Sequence, residues 1–292
     1  MHFTSKSNTE YLKVIVFLTL SLILLAGTMA AGASEYKKPI KVTRNQEKGT
    51  IQVRTMLANY LFSKKGGQLK SIFIHFSSFR TSKAEIVPGT TTDPETLQRS
   101  YLEGVKFPGE LQLGGKSDRN INYEVDIPEG KHYDKLALTF TGEREDLAIK
   151  KTYTIRNNPD YTLGLSVTLS NKAGEAVDLG KAPQLYIGSQ TKSGQDGDIS
   201  YLTDPTTKFL FDGEVSNGKL AAASYNSFGG VGYVGKNLVL FLKTGTPDEK
   251  TENLDDKGVT PNVSGGNLSV NLPEASLGGR ATRDFQFSLY GG

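Results

Sequence analysis

The chain has 292 residues, 34 Lys and Arg against 31 Asp and Glu, a formal net charge of +3, and no cysteine. Without cysteine there is no disulfide, no thiol catalysis, no thiolate metal site and no lipid-anchored lipoprotein. Charge this small and this evenly spread provides neither a basic block nor basic–aromatic interleaving for nucleic acid, so the chain reads as one large domain or two smaller ones held by their own cores.

The first element is apolar. Val14 to Ala26 is thirteen residues without a charge, preceded by Lys6 and Lys13. It fits a secretory h-region, with the small residues Ala31-Gly32-Ala33 where a signal peptidase reads. The uncharged run also extends to Ala33, twenty residues, which at about 1.5 Å per residue spans a bilayer core. Cleaved signal peptide and retained anchor are both physically allowed. Lys37, Lys38, Lys41 and Arg44 then form a mild basic stem, a solvated linker or a contact for anionic headgroups.

Beyond residue 48 the dominant signal is period two. Ile72, Ile74 and Phe76 face one way and Phe73 and His75 the other. Thr81 to Glu95, with Pro88, Gly89 and Pro94, reads as a long loop, and Pro94 to Gln98 as the start of a short helix. Asn120 to Ile127 alternates like a strand, as do Leu136, Leu138 and Phe140. Leu147, Ile149, Lys151, Tyr153 and Ile155 share one face of the next run, and Leu163, Leu165, Val167 and Leu169 one face of the run after it. Turns lie at Thr141-Gly142-Glu143, Asn157 to Asp160 and Asn171 to Gly174. Gly188 to Asp198 reads as a loop, and Gly245 to Gly266 as a disordered one, for want of apolar residues to pin it. Leu268, Val270 and Leu272, then Phe285, Phe287 and Leu289, resume the alternation. Such runs predict antiparallel strands with one face buried, stacked as a sandwich.

Few residues offer chemistry. Gly114-Gly115-Lys116-Ser117 ends like a phosphate loop, but Glu110 stands where the motif needs glycine, Gly109 is one residue early, and no helix pattern follows. A turn between strands is the reading. His2 lies in the leader; His75 reads as a sheet-face histidine or a ligand-cleft one, and His132 follows the turn Pro128-Glu129-Gly130. Neither has a metal-ligand partner at ligand spacing. No Gly-x-Ser-x-Gly elbow is present. Glu143, Glu145 and Asp146 with Arg144 sit on one hairpin tip, where side chains fan into water instead of converging as glycosidic carboxylates must. The triplets Asn262-Val263-Ser264 and Asn267-Leu268-Ser269 match the glycosylation pattern, which is short enough to arise by chance.

Two stretches carry a more specific signal. Thr50 to Phe76 is a strand, a turn at Gly66-Gly67 and a strand; Thr139 to Asn171 holds Lys150-Lys151-Thr152-Tyr153, a turn, Tyr161 and a strand closing on Asn171. The second resembles the strand–turn–strand of the large periplasmic domain of the YidC family of bacterial membrane protein insertases, and the first is similar to that domain's opening. Gly232 to Leu242 looks like its late segment, with Asn237 and Leu238 where the family shows Lys and aromatics, and no Trp nearby. Phe285 to Gly292 is similar to its last strand. The resemblance covers roughly residues 45 to 292.

It implies an all-β, antiparallel β-supersandwich of the galactose mutarotase-like kind after one N-terminal hydrophobic helix. The implied layout is a signal-anchor or signal peptide at 1–33, a basic linker at 34–48 and a periplasmic domain at 49–292. The expected setting is the bacterial inner membrane, crossed once, with the bulk of the chain in the periplasm. The role implied is non-enzymatic support of membrane-protein insertion, with the insertase transmembrane bundle or Sec-translocon accessory proteins as partners. No catalytic, cofactor-binding or metal residue is named, and no nucleic acid or metal partner. In the family the insertion chemistry belongs to a later transmembrane bundle with a buried arginine in its groove, where this sequence ends at Gly292. The expectation is that insertion chemistry lies outside these residues, in a separate chain or lost by truncation. Two rival readings are a carbohydrate- or client-binding module using the supersandwich cleft, and a mutarotase. The latter would need His75 and His132 to converge with a carboxylate.

Overall fold

The computed structural model describes residues 38–75, 83–86, 90–92, 99–101, 104–157, 161–189, 206–211, 214–217, 228–234, 239–245 and 258–291. The chain divides into Met1–Lys38 and Pro39–Gly292, and the description concerns the second unit. The apolar leader and Pro94 to Gln98 lie outside the described residues. Among the described residues no helix is long and apolar enough to cross a membrane.

The described part is antiparallel β-structure, with a 3₁₀ turn at Asp118–Asn120 as its single helical element. A nine-stranded sheet runs in the spatial order Glu124–Asp126, Lys135–Arg144, Leu147–Arg156, Thr162–Asn171, Thr282–Gly291, Val239–Thr244, Phe228–Val234, Thr206–Phe211, Glu214–Asn217. The C-terminal strand therefore inserts into the middle of the sheet. A five-stranded meander runs Lys41–Asn45, Thr50–Arg54, Ala58–Ser63, Gln68–His75, Lys83–Ile86. A second five-stranded sheet has the order Thr260–Ser264, Asn267–Asn271, Gln184–Ser189, Leu111–Leu113, Lys116–Ser117.

The register follows from the alternation. Ile155 faces Leu163 and then Leu289 across three strands; Tyr153, Leu165 and Phe287 form the next buried row. One face of each ten-residue strand is thereby mostly apolar and largely removed from water, with Lys151 and Asn171 as buried polar exceptions, while Thr139 and Thr152 bond to each other at 3.2 Å on the opposite face. The inner face packs against the first five-stranded sheet through Phe62, whose ring lies 4.8 Å from Tyr153 and 6.0 Å from Phe140. Leu111, Leu113, Leu185 and Val270 of the second sheet join the same core. Stacked sheets sharing one core are the sandwich expected from the alternation and the supersandwich that the resemblance implied.

Three segments read as loops contain strands. Lys83–Ile86 adds a fifth strand to the first sheet, with Ile86 opposite Ile72. Thr90–Thr92 pairs with Arg99–Tyr101. Thr260–Ser264 forms a hairpin with Asn267–Asn271 around the Gly265-Gly266 turn, so the stretch from Gly245 to Gly266 is not wholly disordered. Strands of three to five residues show too few apolar positions for a period to be visible; the neighbouring strand's backbone defines them. Pro261 lies on the sheet's edge, where its missing N–H is tolerated. Gln184–Ser189 includes Gly188 and Ser189, and the rest of that loop lies outside the described residues. Lys41–Asn45, placed by the sequence within a basic linker, pairs residue for residue with Thr50–Arg54.

Candidate functional site

Lys151 occupies an inward position of an apolar alternation, between Ile149 and Tyr153, and is fully buried. An ammonium there must find acceptors for its N–H groups. It donates to Gly66 O at 2.7 Å and Gly109 O at 2.6 Å, and pairs with Asp118, also fully buried. Burial pushes Lys151 below the ordinary lysine range, and Asp118 pulls it back. Asp118 also accepts from Leu111 N–H at 2.9 Å and Tyr123 O–H at 2.8 Å. The Tyr123 ring lies 5.0 Å from the ammonium. Tyr153 donates to Gly67 O at 2.8 Å. Burial first, then Asp118, push both phenols up, so they remain donors.

This network ties the turn at Gly66-Gly67, the bend at Gly109 and the strand Leu147–Arg156 into one unit. Glycine is required at Gly109, where φ is +85° and a Cβ would stand 1.9 Å from the Tyr153 oxygen. At Gly67 φ is +54° and a Cβ would crowd Phe140 at 3.3 Å. Asn171, which closes the next strand, donates to Glu175 O at 2.6 Å, Gly278 O at 2.9 Å and Leu277 O at 3.0 Å. The residues that carried the sequence signal are thus keystones of the sandwich. Lys151, closed to solvent with its donors committed, is not placed to meet a substrate.

Beside the network lies a second, partly open cluster. Glu110 is wholly buried and accepts from Lys106 Nζ, Arg119 Nη2 and Ser117 Oγ, each at 2.8 Å. Burial raises the Glu110 carboxyl, but these three hydrogen bonds outweigh it and bring it below the usual range. Lys106 Nζ sits 4.6 Å from the Tyr186 ring, and Lys70 Nζ 3.5 Å from the Phe107 ring. Lys70 also donates to Gln68 Oε1 at 2.8 Å. Burial, then Arg119, brings Lys70 down from 10.5 to about 8.

The other sequence candidates separate. Gly114-Gly115 turns between Leu111–Leu113 and Lys116–Ser117, with φ of +57° and +73°. Ser117 caps the 3₁₀ turn and holds Glu110, the residue that breaks the phosphate-loop pattern. Glu143 pairs with Lys172 and Glu145 with Lys116, all at the surface, while Arg144 donates to Leu113 O at 2.9 Å. His132 bridges to Ile40 beside the first strand of the meander, and His75 lies on the fourth. Four interstrand spacings separate them, roughly 19 Å, so the two histidines form no pair. Asn262 and Asn267 flank the Gly265-Gly266 turn. A concavity of about 310 Å³ lies between Arg44, Gln46, Lys64 and Val125. Among the described residues no three His, Asp or Glu gather as a metal site would require.

Sequence reasoning missed Asp118, Glu110, Arg119, Lys70, Lys106 and Gln68. The one available signal was Lys151 itself: a lysine in the buried phase demands a carboxylate, but spacing does not say which.

No family model matches the sequence, and no curated protein matches it. Among solved structures the chain is similar to the periplasmic domain of Thermotoga maritima YidC, at 15% identity and a TM-score of 0.43, over 87% of this chain and 86% of that one. It is similar to Thermotoga maritima YidC at 15% identity and a TM-score of 0.37, over 87% of this chain and 51% of that one, so it spans about half that protein's length. It is also similar to a putative aldose 1-epimerase from Escherichia coli K12, at 9% identity and a TM-score of 0.39, over 87% and 99%.

Proposed function

We propose that the chain is a periplasmic β-supersandwich domain of the YidC insertase type, held at the inner membrane by its apolar N-terminal segment. It acts without catalysis of its own, supporting insertion and folding of membrane proteins through contacts with the insertase bundle or Sec-translocon accessory proteins. The observation that carries this reading is the fate of the resembling segments. Gly66-Gly67, Lys151 and Tyr153 lock one another in a buried network. In this reading the shared motif maintains a rigid scaffold that presents sheet surfaces to proteins. The separation of His75 from His132 removes the pair on which the mutarotase reading depended. A polar β domain offers no low-dielectric path into lipid, so the role is one of docking.

The test is affinity capture of the full tagged chain from membranes of its source cell, solubilised in a non-ionic detergent. Recovery of an insertase bundle or Sec components is expected. Recovery of neither, with the tagged chain abundant and folded, overturns the reading.

A further inference from the structure

The concavity of about 310 Å³ opens where two sheets part at their edges. Lys41–Asn45 is the edge strand of the five-stranded meander, and Glu124–Asp126 the edge strand of the nine-stranded sheet. Ile51 and Val125 line the space with apolar surface, and Arg44 and Lys64 bring charge to it. Both cations stand in the inward phase of their strands. Val42 packs against the core, and Arg44, two residues on, stands opposite Ile51, which in turn stands opposite Phe62. Ile51 and Phe62 are buried, so Arg44 is the outermost member of an inward-facing row. Ala58, Tyr60 and Phe62 are the buried phase of Ala58–Ser63, and Lys64 continues it one step past the strand's end. Strand residues two apart leave by the same face, so both charges are directed between the sheets. The strands that lead to them are two interstrand spacings apart, about 10 Å, a gap that two long side chains can close upon one small group. No carboxylate lines the concavity. Glu124 and Asp126 flank Val125 and leave by the opposite face of their strand, and Glu47 is exposed on the hairpin turn. Among the described residues neither the Arg44 guanidinium nor the Lys64 ammonium meets an acceptor, whereas Lys116, Lys172 and Arg283 each meet a carboxylate. An inward charge on an edge strand also discourages strand addition. That accounts for Arg44 alone, because Lys64 follows an interior strand of its sheet.

We propose that this inter-sheet concavity binds a small phosphate monoester, its phosphate held between Arg44 and Lys64 and its body against Ile51 and Val125. Two cations without a counter-charge match a group that carries about two negative charges. Charge-assisted bonds from a guanidinium and an ammonium are the strong contacts for phosphate oxygens. The Thr50 hydroxyl and the Gln46 amide line the same space as neutral donors. The volume is at the lower end of small-molecule sites, which run from about 300 to 1,000 Å³, so it suits a compact ligand. The inference is independent of the docking role proposed above.

The experiment is isothermal titration of glycerol phosphate into the full chain in an uncharged detergent at low ionic strength. One-site saturation is expected. Arg44→Gln and Lys64→Met should each weaken binding about tenfold or more, one lost charge-assisted bond being worth roughly that factor. Arg44 is exposed and Lys64 half-buried, so both variants should keep the far-UV circular dichroism of the wild type. Lys64→Arg keeps the charge and should keep binding, which separates loss of charge from loss of fold. Lys41→Met removes the same charge from the outward face of the strand that carries Arg44 and should leave binding unchanged. Competition in micelles doped with phosphatidic acid identifies the source: displacement of glycerol phosphate assigns a lipid headgroup, and full retention a free phosphate ester. The proposal is overturned if glycerol phosphate does not saturate, if Arg44→Gln and Lys64→Met bind as the wild type does, or if Lys41→Met weakens binding equally.

Discussion

Replacing Lys151 with methionine keeps the length and most of the volume of the side chain and removes its charge. Three contacts vanish: those to Gly66 O, to Gly109 O and to Asp118. Two buried carbonyls are then without their donor, and the Asp118 carboxylate keeps Leu111 N–H and Tyr123 O–H but no cation. Breaking one side of a buried pair costs about 3–5 kcal/mol, mostly from the charge left behind. For a domain of this size that corresponds to a fall in Tm of roughly 6–20 °C. The chain has no tryptophan, so far-UV circular dichroism is the suitable probe for urea unfolding. The m-value should hold while the midpoint falls. In a double-mutant cycle with Asp118→Asn, the double variant should be less destabilised than the sum of the singles by about 0.5–3 kcal/mol. A loss below about 1 kcal/mol for Lys151→Met, or singles that simply add, refutes the claim that this pair ties the turns to the sheet.

Gly109→Ala and Gly115→Ala both place a side chain at positive φ, +85° and +73°, so their common backbone cost cancels in comparison. At Gly109 the new Cβ meets the Tyr153 oxygen at 1.9 Å, whereas at Gly115 it meets nothing within 4 Å. Gly109→Ala should be the more destabilising by about 2 kcal/mol or more in urea titration, from overpacking and loss of the Tyr153 bond to Gly67; equal costs would show that the clash relaxes freely. Lys70 is lowered from 10.5 to about 8 in the fold, so between those values the unfolded chain holds a proton that the folded chain has released. Wild-type stability therefore gains with rising pH in that window relative to Lys70→Met. The difference between the two, measured from pH 7 to 9.5, should shift steadily toward the wild type, and a constant difference contradicts the assignment.

Much of the fold was legible because period two in a long strand is unambiguous. Ile149, Tyr153 and Ile155, then Leu163 to Leu169, lie on the buried face that their spacing implied. Lys151 shared that phase and is buried with them. The turns at Gly66-Gly67 and Gly114-Gly115 fall where glycine pairs marked them, both with positive φ. The short edge strands Lys83–Ile86 and Thr260–Ser264 were not legible. Each turns one or two apolar side chains inward, and its identity as a strand depends on the ladder beside it. The partly open cluster was hidden for a related reason: Gln68, Lys70, Lys106, Glu110 and Arg119 each look like ordinary polar residues in sequence.

By itself the amino-acid sequence determined the fold class and its faces, because the side chains of a strand alternate by covalent geometry whatever the partner. It also determined that no thiol takes part in any chemistry of this chain. Which carboxylate answers Lys151, that Glu110 is enclosed, and that the two histidines stand apart were decided only when strands distant in sequence were set side by side. Those outcomes depend on sheet order and register, which no local pattern encodes.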